Sequence, residues 1–140
     1  MSNQWISPES CPSLAVLVET VTAPLLIQHS APICLEMDVD GSLEIPADPS
    51  QTAELIRSLV VQLLGEMTTG GDLTITAHQF AGRVVLELAD SGCQVGSRPR
   101  NTPMAAAAIG ATLDWQDGSQ GGAVVKITFA RNGQSDRLAA

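Results

Sequence analysis

Aromatic residues are almost missing. Trp5, Trp115, Phe80 and Phe129, with no Tyr, make up 3% of the 140 residues. So few rings give no platform on which bases could stack. Positive charge is equally sparse. No Lys or Arg precedes Arg57, and seven bases against fifteen acids leave a net charge of −8. Nucleic acid carries a dense negative charge, so this balance argues against a nucleic-acid partner. The three cysteines, Cys11, Cys34 and Cys93, are odd in number and far apart. They suit a reducing cytoplasm better than a disulfide framework. There is no CxxC and no HExxH, and His29 and His78 lie far apart, so a dedicated zinc site has no support. The chain has no charged start followed by an apolar run and no stretch of membrane-span length. The expectation is a cytoplasmic protein with no membrane partner.

What is present is a globular composition, with 44% hydrophobic and 16% charged residues. The length fits one domain with a core of its own. The charge is unevenly placed. Eight acids precede Arg57, and from there on seven acids balance seven bases. The acidic first half is either a solvated face that keeps the protein soluble or a docking face for a basic partner.

The expected organisation is a flexible N-terminus over 1–10, one domain over 11–131 and a flexible tail over 132–140. Pro12 stands where a first helical residue can, and Leu14, Leu17, Val18, Val21 and Leu25 recur at helical spacing. Pro24 is expected to kink this helix or set its last turn. A strand follows over 33–38, with Asp40-Gly41 as a turn and a shorter second strand over 42–45. The clearest helix runs over 49–67. Asp48 can cap it, Pro49 fits its first turn, and Gln51 sits three residues after the cap. Gly70-Gly71 ends it. Leu73, Ile75 and Ala77 alternate with polar residues, as do Val84, Leu86 and Leu88, which predicts a hairpin closed at Ala81-Gly82 with one buried face. Thr102-Pro103 starts a short Ala-rich helix that Gly110 terminates, and segments 111–116 and 123–130 form a last hairpin. Single helices recurring between strand pairs predict an α+β fold: a two-layer α/β sandwich, with helices on one face of a mixed, mostly antiparallel sheet.

Two sets of polar residues interrupt these apolar patterns. At 100° per residue, Gln62 and Glu66 fall one turn apart at the Leu55/Leu59 edge of the 49–67 helix, with Arg57 on the opposite side. A half-buried carboxylate there needs a cation, a donor or a ligand, unless Glu66 reaches water along the stripe's edge. Asp90 continues the row of Val84, Leu86 and Leu88, so a carboxylate ends an apolar face. It either forms an Asx turn with nearby amides or accepts from an amino group such as that of adenine.

Three segments carry a resemblance that covers nearly the whole chain. "IPADPSQTAELIRSLVVQLLGEM" resembles the Asp-Pro approach to an asparagine-box helix. "VVLELADSGCQVG" is similar to an Asp-x-Gly-x-Gly adenine box, and "GGAVVKITFA" to a closing Gly-Thr strand. The family is the histidine-kinase-like ATPase (GHKL) family, whose members include sensor histidine kinases, gyrase B and MutL. The resemblance implies the Bergerat ATP-binding fold, with ATP and Mg between the sheet and the helices. It implies that Asp90 accepts the adenine amine and that Gly92 lets the backbone pass close to the base. Glu66 stands at the magnesium-binding Asn, a place where a carboxylate oxygen can also ligate the ion. Gln62 stands at the position of an Asn or a catalytic Glu.

The chain departs from that pattern. Gln94 replaces the second Gly of the adenine box, and Ala123 stands for the Thr of the closing strand. Only ten residues, 93–102, separate Gly92 from Pro103, where the family has a long lid. Arg98, Arg100 and the helix start at Thr102-Pro103 either bind a phosphate in its place or are solvated loop residues. Neither His stands on a dimerising helical hairpin, so no autophosphorylation in cis is expected. The resemblance therefore implies a stand-alone ATP-binding domain in two-component-type signalling, with weakened or lost turnover. Its expected partner is a histidine-bearing phosphotransfer protein or a response regulator. The alternatives are a non-catalytic interaction module on the same fold and an anti-sigma-factor-like kinase.

Overall fold

The computed structural model describes residues 7–92, 95–98, 102–119 and 121–130. A 3-10 turn (Pro8–Ser10) precedes α1 (Leu14–Gln28), β1 (Ile33–Val39) and α2 (Pro49–Gly65). Then come β2 (Gly71–Phe80), β3 (Arg83–Asp90), a second 3-10 turn (Val95–Ser97), α3 (Met104–Ala108), β4 (Thr112–Asp117) and β5 (Ala123–Thr128). The five strands form one sheet in the order β1-β2-β3-β5-β4. β1 and β2 are parallel, with α2 in the crossover that a parallel pair requires, and every other pair is antiparallel. This is the mixed, mostly antiparallel α+β sandwich expected from the sequence.

The core lies between the helices and one face of the sheet. Leu55, Ile56, Leu59, Val60 and Leu63 of α2 are wholly buried, as are Leu73, Ile75, Leu86, Leu88, Val125 and Ile127 of the sheet. Each such side chain contributes about 1.5–3 kcal/mol of burial. The other sheet face carries Thr74, Glu87 and Lys126, all partly exposed.

Local rules explain most boundaries. The Asp48 carboxylate accepts the Gln51 N–H at 2.9 Å and caps α2, with Pro49 in the first turn. Ala81 and Gly82 take φ of 55° and 78°, the doubly positive pair that a tight hairpin requires. At the C-terminus of α1, the His29 ring lies 2.9 Å from the Met67 carbonyl and ties this end of α1 to the end of α2.

Several expectations are corrected. There is no strand over 42–45. Instead Leu43 turns into the core, and its carbonyl accepts the Leu14 N–H at 3.0 Å, so this segment fastens the start of α1. Pro12 is not helical. Ser13 caps α1 through its hydroxyl, and helix begins at Leu14. Order also begins before residue 11, because residues 8–10 form a 3-10 turn and the Ser50 hydroxyl donates to the Glu9 carboxylate. α2 ends at Gly65, so Glu66 is its C-cap and not an interior residue.

Candidate functional site

The site is built where β3, β5 and β4 end together. Asp90, Ala123 and Asp117 lie in one register row across the three strands. The alternation that buries Leu86 and Leu88 also buries Asp90, whose side chain is wholly enclosed. A carboxylate held there needs compensation from its surroundings.

That compensation comes from within the chain. Arg98 meets Asp90 side by side, with Nη1 to Oδ2 at 2.8 Å and Nη2 to Oδ1 at 3.1 Å. The Gly92 N–H donates to Oδ1 at 2.9 Å and the Ala123 N–H to the same oxygen at 3.3 Å. Three of these four donors converge on Oδ1 and one meets Oδ2, so Oδ1 is crowded while Oδ2 keeps an acceptor position beside Arg98. The Arg98 side chain is itself 5% exposed. Planar pairing of this kind is the strong form of the interaction.

The placement of Arg98 is also built. The Val95 N–H donates to the Asp117 carboxylate at 2.9 Å, which fixes the second 3-10 turn to the end of β4. Val95 is buried, and the Arg98 N–H closes the turn on the Val95 carbonyl at 3.2 Å. The guanidinium therefore reaches Asp90 from a segment that is itself held down.

Gly92 is where two backbones meet. A Cβ on it would lie 2.6 Å from the Glu66 carbonyl oxygen and 2.9 Å from the Glu66 Cβ. The structure thus brings Glu66 and Gly92 into contact, and the close approach that needs glycine is to the α2 cap. Glu66 keeps a helical backbone (φ −92°, ψ 0°) and is half-buried. Gln62, also half-buried, stands one turn before it on α2. Gly122, with φ +75°, is a second forced glycine, since a Cβ there would overlap the Asp90 carbonyl oxygen.

Of the expected site residues, Asp90, Gly92, Arg98, Glu66 and Gln62 thus gather around the end of β3 and the end of α2. Arg100, Cys93 and Gln94 lie outside the described residues. The helix expected to receive a phosphate at Thr102-Pro103 is five residues long, and no side chain caps it. Sequence reasoning missed Asp117 and the Ala123 amide. Only the register, which places Ala123 beside Asp90 and Asp117 one strand further in the same row, reveals them.

As arranged, a nucleotide amine would have to share Asp90 with Arg98. Oδ1 is occupied by Arg98 and two amides, and the remaining position on Oδ2 lies beside the Arg98 guanidinium. Among the described residues no three His, Cys, Asp or Glu side chains come together around a cation position. Glu66 is the oxygen donor the site offers, and magnesium held by so few protein ligands depends on a bound phosphate. No helix among the described residues is long and apolar enough to cross a membrane.

No protein-family model matches the chain, and no curated protein matches it in sequence. Solved structures do match in shape. The catalytic domain of histidine kinase ThkA superposes with a TM-score of 0.69 at 16% identity, covering 87% of this chain and 96% of that one. The mycobacterial sensor histidine kinase MprB gives 0.65 at 14% identity, over 86% and 96%. Histidine kinase AdeS of Acinetobacter baumannii gives 0.68 at 14% identity, over 87% of this chain and 66% of that one. The chain therefore has the histidine-kinase-like ATPase fold.

Proposed function

We propose that this domain works in two-component-type signalling as a non-catalytic interaction module. In this reading its nucleotide position is closed by its own arginine, and turnover is lost or weak. The observation that carries the reading is the buried ion pair of Asp90 with Arg98, backed by the Gly92 and Ala123 amides on Oδ1. Nucleotide entry then requires breaking a buried ion pair, and breaking such a pair from one side costs about 3–5 kcal/mol. The short segment between Gly92 and Pro103 supports the same reading, because phosphoryl transfer depends on positioning and neutralising the phosphates. The implied partner is a signalling protein, such as a histidine-bearing phosphotransfer protein or a response regulator.

Calorimetry with ATP and magnesium tests this. The expected result for the wild type is no heat of binding at millimolar ATP. Binding in the micromolar range that Asp90→Asn abolishes would sink the reading. It would restore the alternative, an ATP-binding domain that Arg98 merely gates.

A further inference from the structure

The open face of the sheet holds a second feature that the nucleotide-type site does not use. Four cationic side chains are present among the described residues: Arg57, Arg83, Arg98 and Lys126. Arg98 is committed to Asp90, and Arg57 lines a cavity that also contains Glu54. The remaining two, with His78, border one cavity of about 520 Å³ at the hairpin end of the sheet. Among the described residues no carboxylate lines it. Its floor is Val85, and its rim includes Phe80 and Thr128.

Three properties set this patch apart. Val85 shares the solvent side of the sheet with His78 yet is 5% exposed. Phe80, one of four aromatic residues in the chain, is 72% exposed beside it. The protein carries −8 overall, so a basic concavity runs against its general charge. Glu87 and Asp114 flank Lys126 in its own row, so Arg83, opposite Phe80, holds the positive charge farther from acid. Charges more than about 8 Å away are largely screened at physiological salt, so the patch acts by its own sign and not by the net charge.

We propose that this concavity is a docking surface for an acidic segment of a partner protein. Carboxylates of the partner would meet Arg83, Lys126 and His78, and an apolar side chain beside them would pack on Phe80 over Val85. Arg and aromatic side chains are the types that anchor interfaces. The proposal rests on reading the chain as a partner-binding module, and it names the kind of partner.

The test uses the full chain and a short fluorescein-labelled peptide of alternating Glu and Leu, followed by anisotropy. The control peptide has Gln for every Glu. The expected result is binding about tenfold tighter for the Glu peptide than for the control, weakening as salt rises. Arg83→Gln and Phe80→Ala should each lower affinity by about tenfold, with far-UV circular dichroism unchanged because both side chains lie on the surface. Equal binding of the two peptides, or indifference to both substitutions, overturns the proposal. Competition by inorganic phosphate at the peptide's own concentration also overturns it, in favour of a small-anion site. Self-association in sedimentation that Phe80→Ala abolishes overturns it in favour of a second copy of this chain. ATP binding by the wild type would refute the preceding reading and leave this one standing. A silent peptide titration would do the reverse.

Discussion

Replacing Arg98 by Met removes the guanidinium and keeps most of the side chain's bulk. It leaves Asp90 enclosed with two backbone donors and no countercharge. Leaving one member of a buried pair uncompensated costs about 3–5 kcal/mol. For a domain of this size each kcal/mol lowers Tm by roughly 2–4 °C, so the lower bound predicts a drop of about 10 °C. Asp90→Leu should cost a similar amount, because it strands Arg98. The double variant should recover most of the loss, since leucine simply extends the row of Val84, Leu86 and Leu88. With about 3 kcal/mol lost in each single variant and little in the double, the coupling in this cycle is about 5 kcal/mol, read by urea denaturation of the four proteins.

The cost of leaving Asp90 unpaired, about 3 kcal/mol at its lower bound, also sets the nucleotide behaviour. At 1.4 kcal/mol per tenfold, 3 kcal/mol leaves the carboxylate free of Arg98 in roughly one molecule in 150. The apparent Kd for ATP then lies about 150-fold above that of the open form. Arg98→Met should bind Mg-ATP more tightly than the wild type by up to that factor, within whatever affinity the rest of the site retains. Two results refute the reasoning. One is a coupling below about 0.5 kcal/mol, the scale of an exposed pair. The other is a wild type that binds Mg-ATP as tightly as Arg98→Met.

Three further outcomes follow from the same geometry. Asp117→Ala should release the Val95 amide and loosen the turn that presents Arg98, costing about 1 kcal/mol in denaturation and raising protease sensitivity at residues 95–98. Gly92→Ala should destabilise by about 2 kcal/mol or more, because the new Cβ meets backbone and not a flexible side-chain end; an unchanged midpoint would show that the α2 cap can yield. Pro24→Ala should stabilise α1 by about 1–3 kcal/mol by restoring an interior hydrogen bond, and an unchanged or lowered Tm would contradict it.

The parts of this fold that were legible in the sequence are those decided by local periodicity. The α2 stripe, the Asp48 cap, the Ala81-Gly82 turn and the buried position of Asp90 all follow from spacing within one element. The failures come from contacts between distant segments. Residues 42–45 alternate like a strand, yet Leu43 is drawn into the core and its carbonyl is used by Leu14. Glu66 was expected to be a helix-face residue, but α2 stops one residue earlier and makes it the cap. In the site, the sequence marked Asp90 and Arg98 separately. Their pairing depends on a turn fixed by Asp117, a residue whose role exists only once β4 and β5 are in register.

The pairing also changes what the acidic residue means. In the resembled family a buried carboxylate in this place is kept for a ligand. Here the same carboxylate serves as an internal tie between β3, β5 and the 93–102 segment. Its Oδ1 is filled from within and its Oδ2 is shared with Arg98, so a ligand amine would have to compete with the guanidinium for it. Any partner that changes nucleotide access must therefore act on the anchor of Arg98, through the second 3-10 turn or the end of β4. A partner on the basic cavity, by contrast, contacts β2, β3 and β5 at their other ends, the hairpin side of the sheet. The two regions are joined by β3, which runs from Arg83 in one to Asp90 in the other. Strand β3 lies inside the sheet with neighbours on both sides, which makes it a rigid spacer and not a hinge. Occupation of the basic cavity should accordingly leave the Arg98–Asp90 pair undisturbed, so the Arg98→Met effect on ATP affinity should be the same with and without the acidic peptide. A peptide that alters it more than threefold would show coupling along β3 that packing this continuous does not supply.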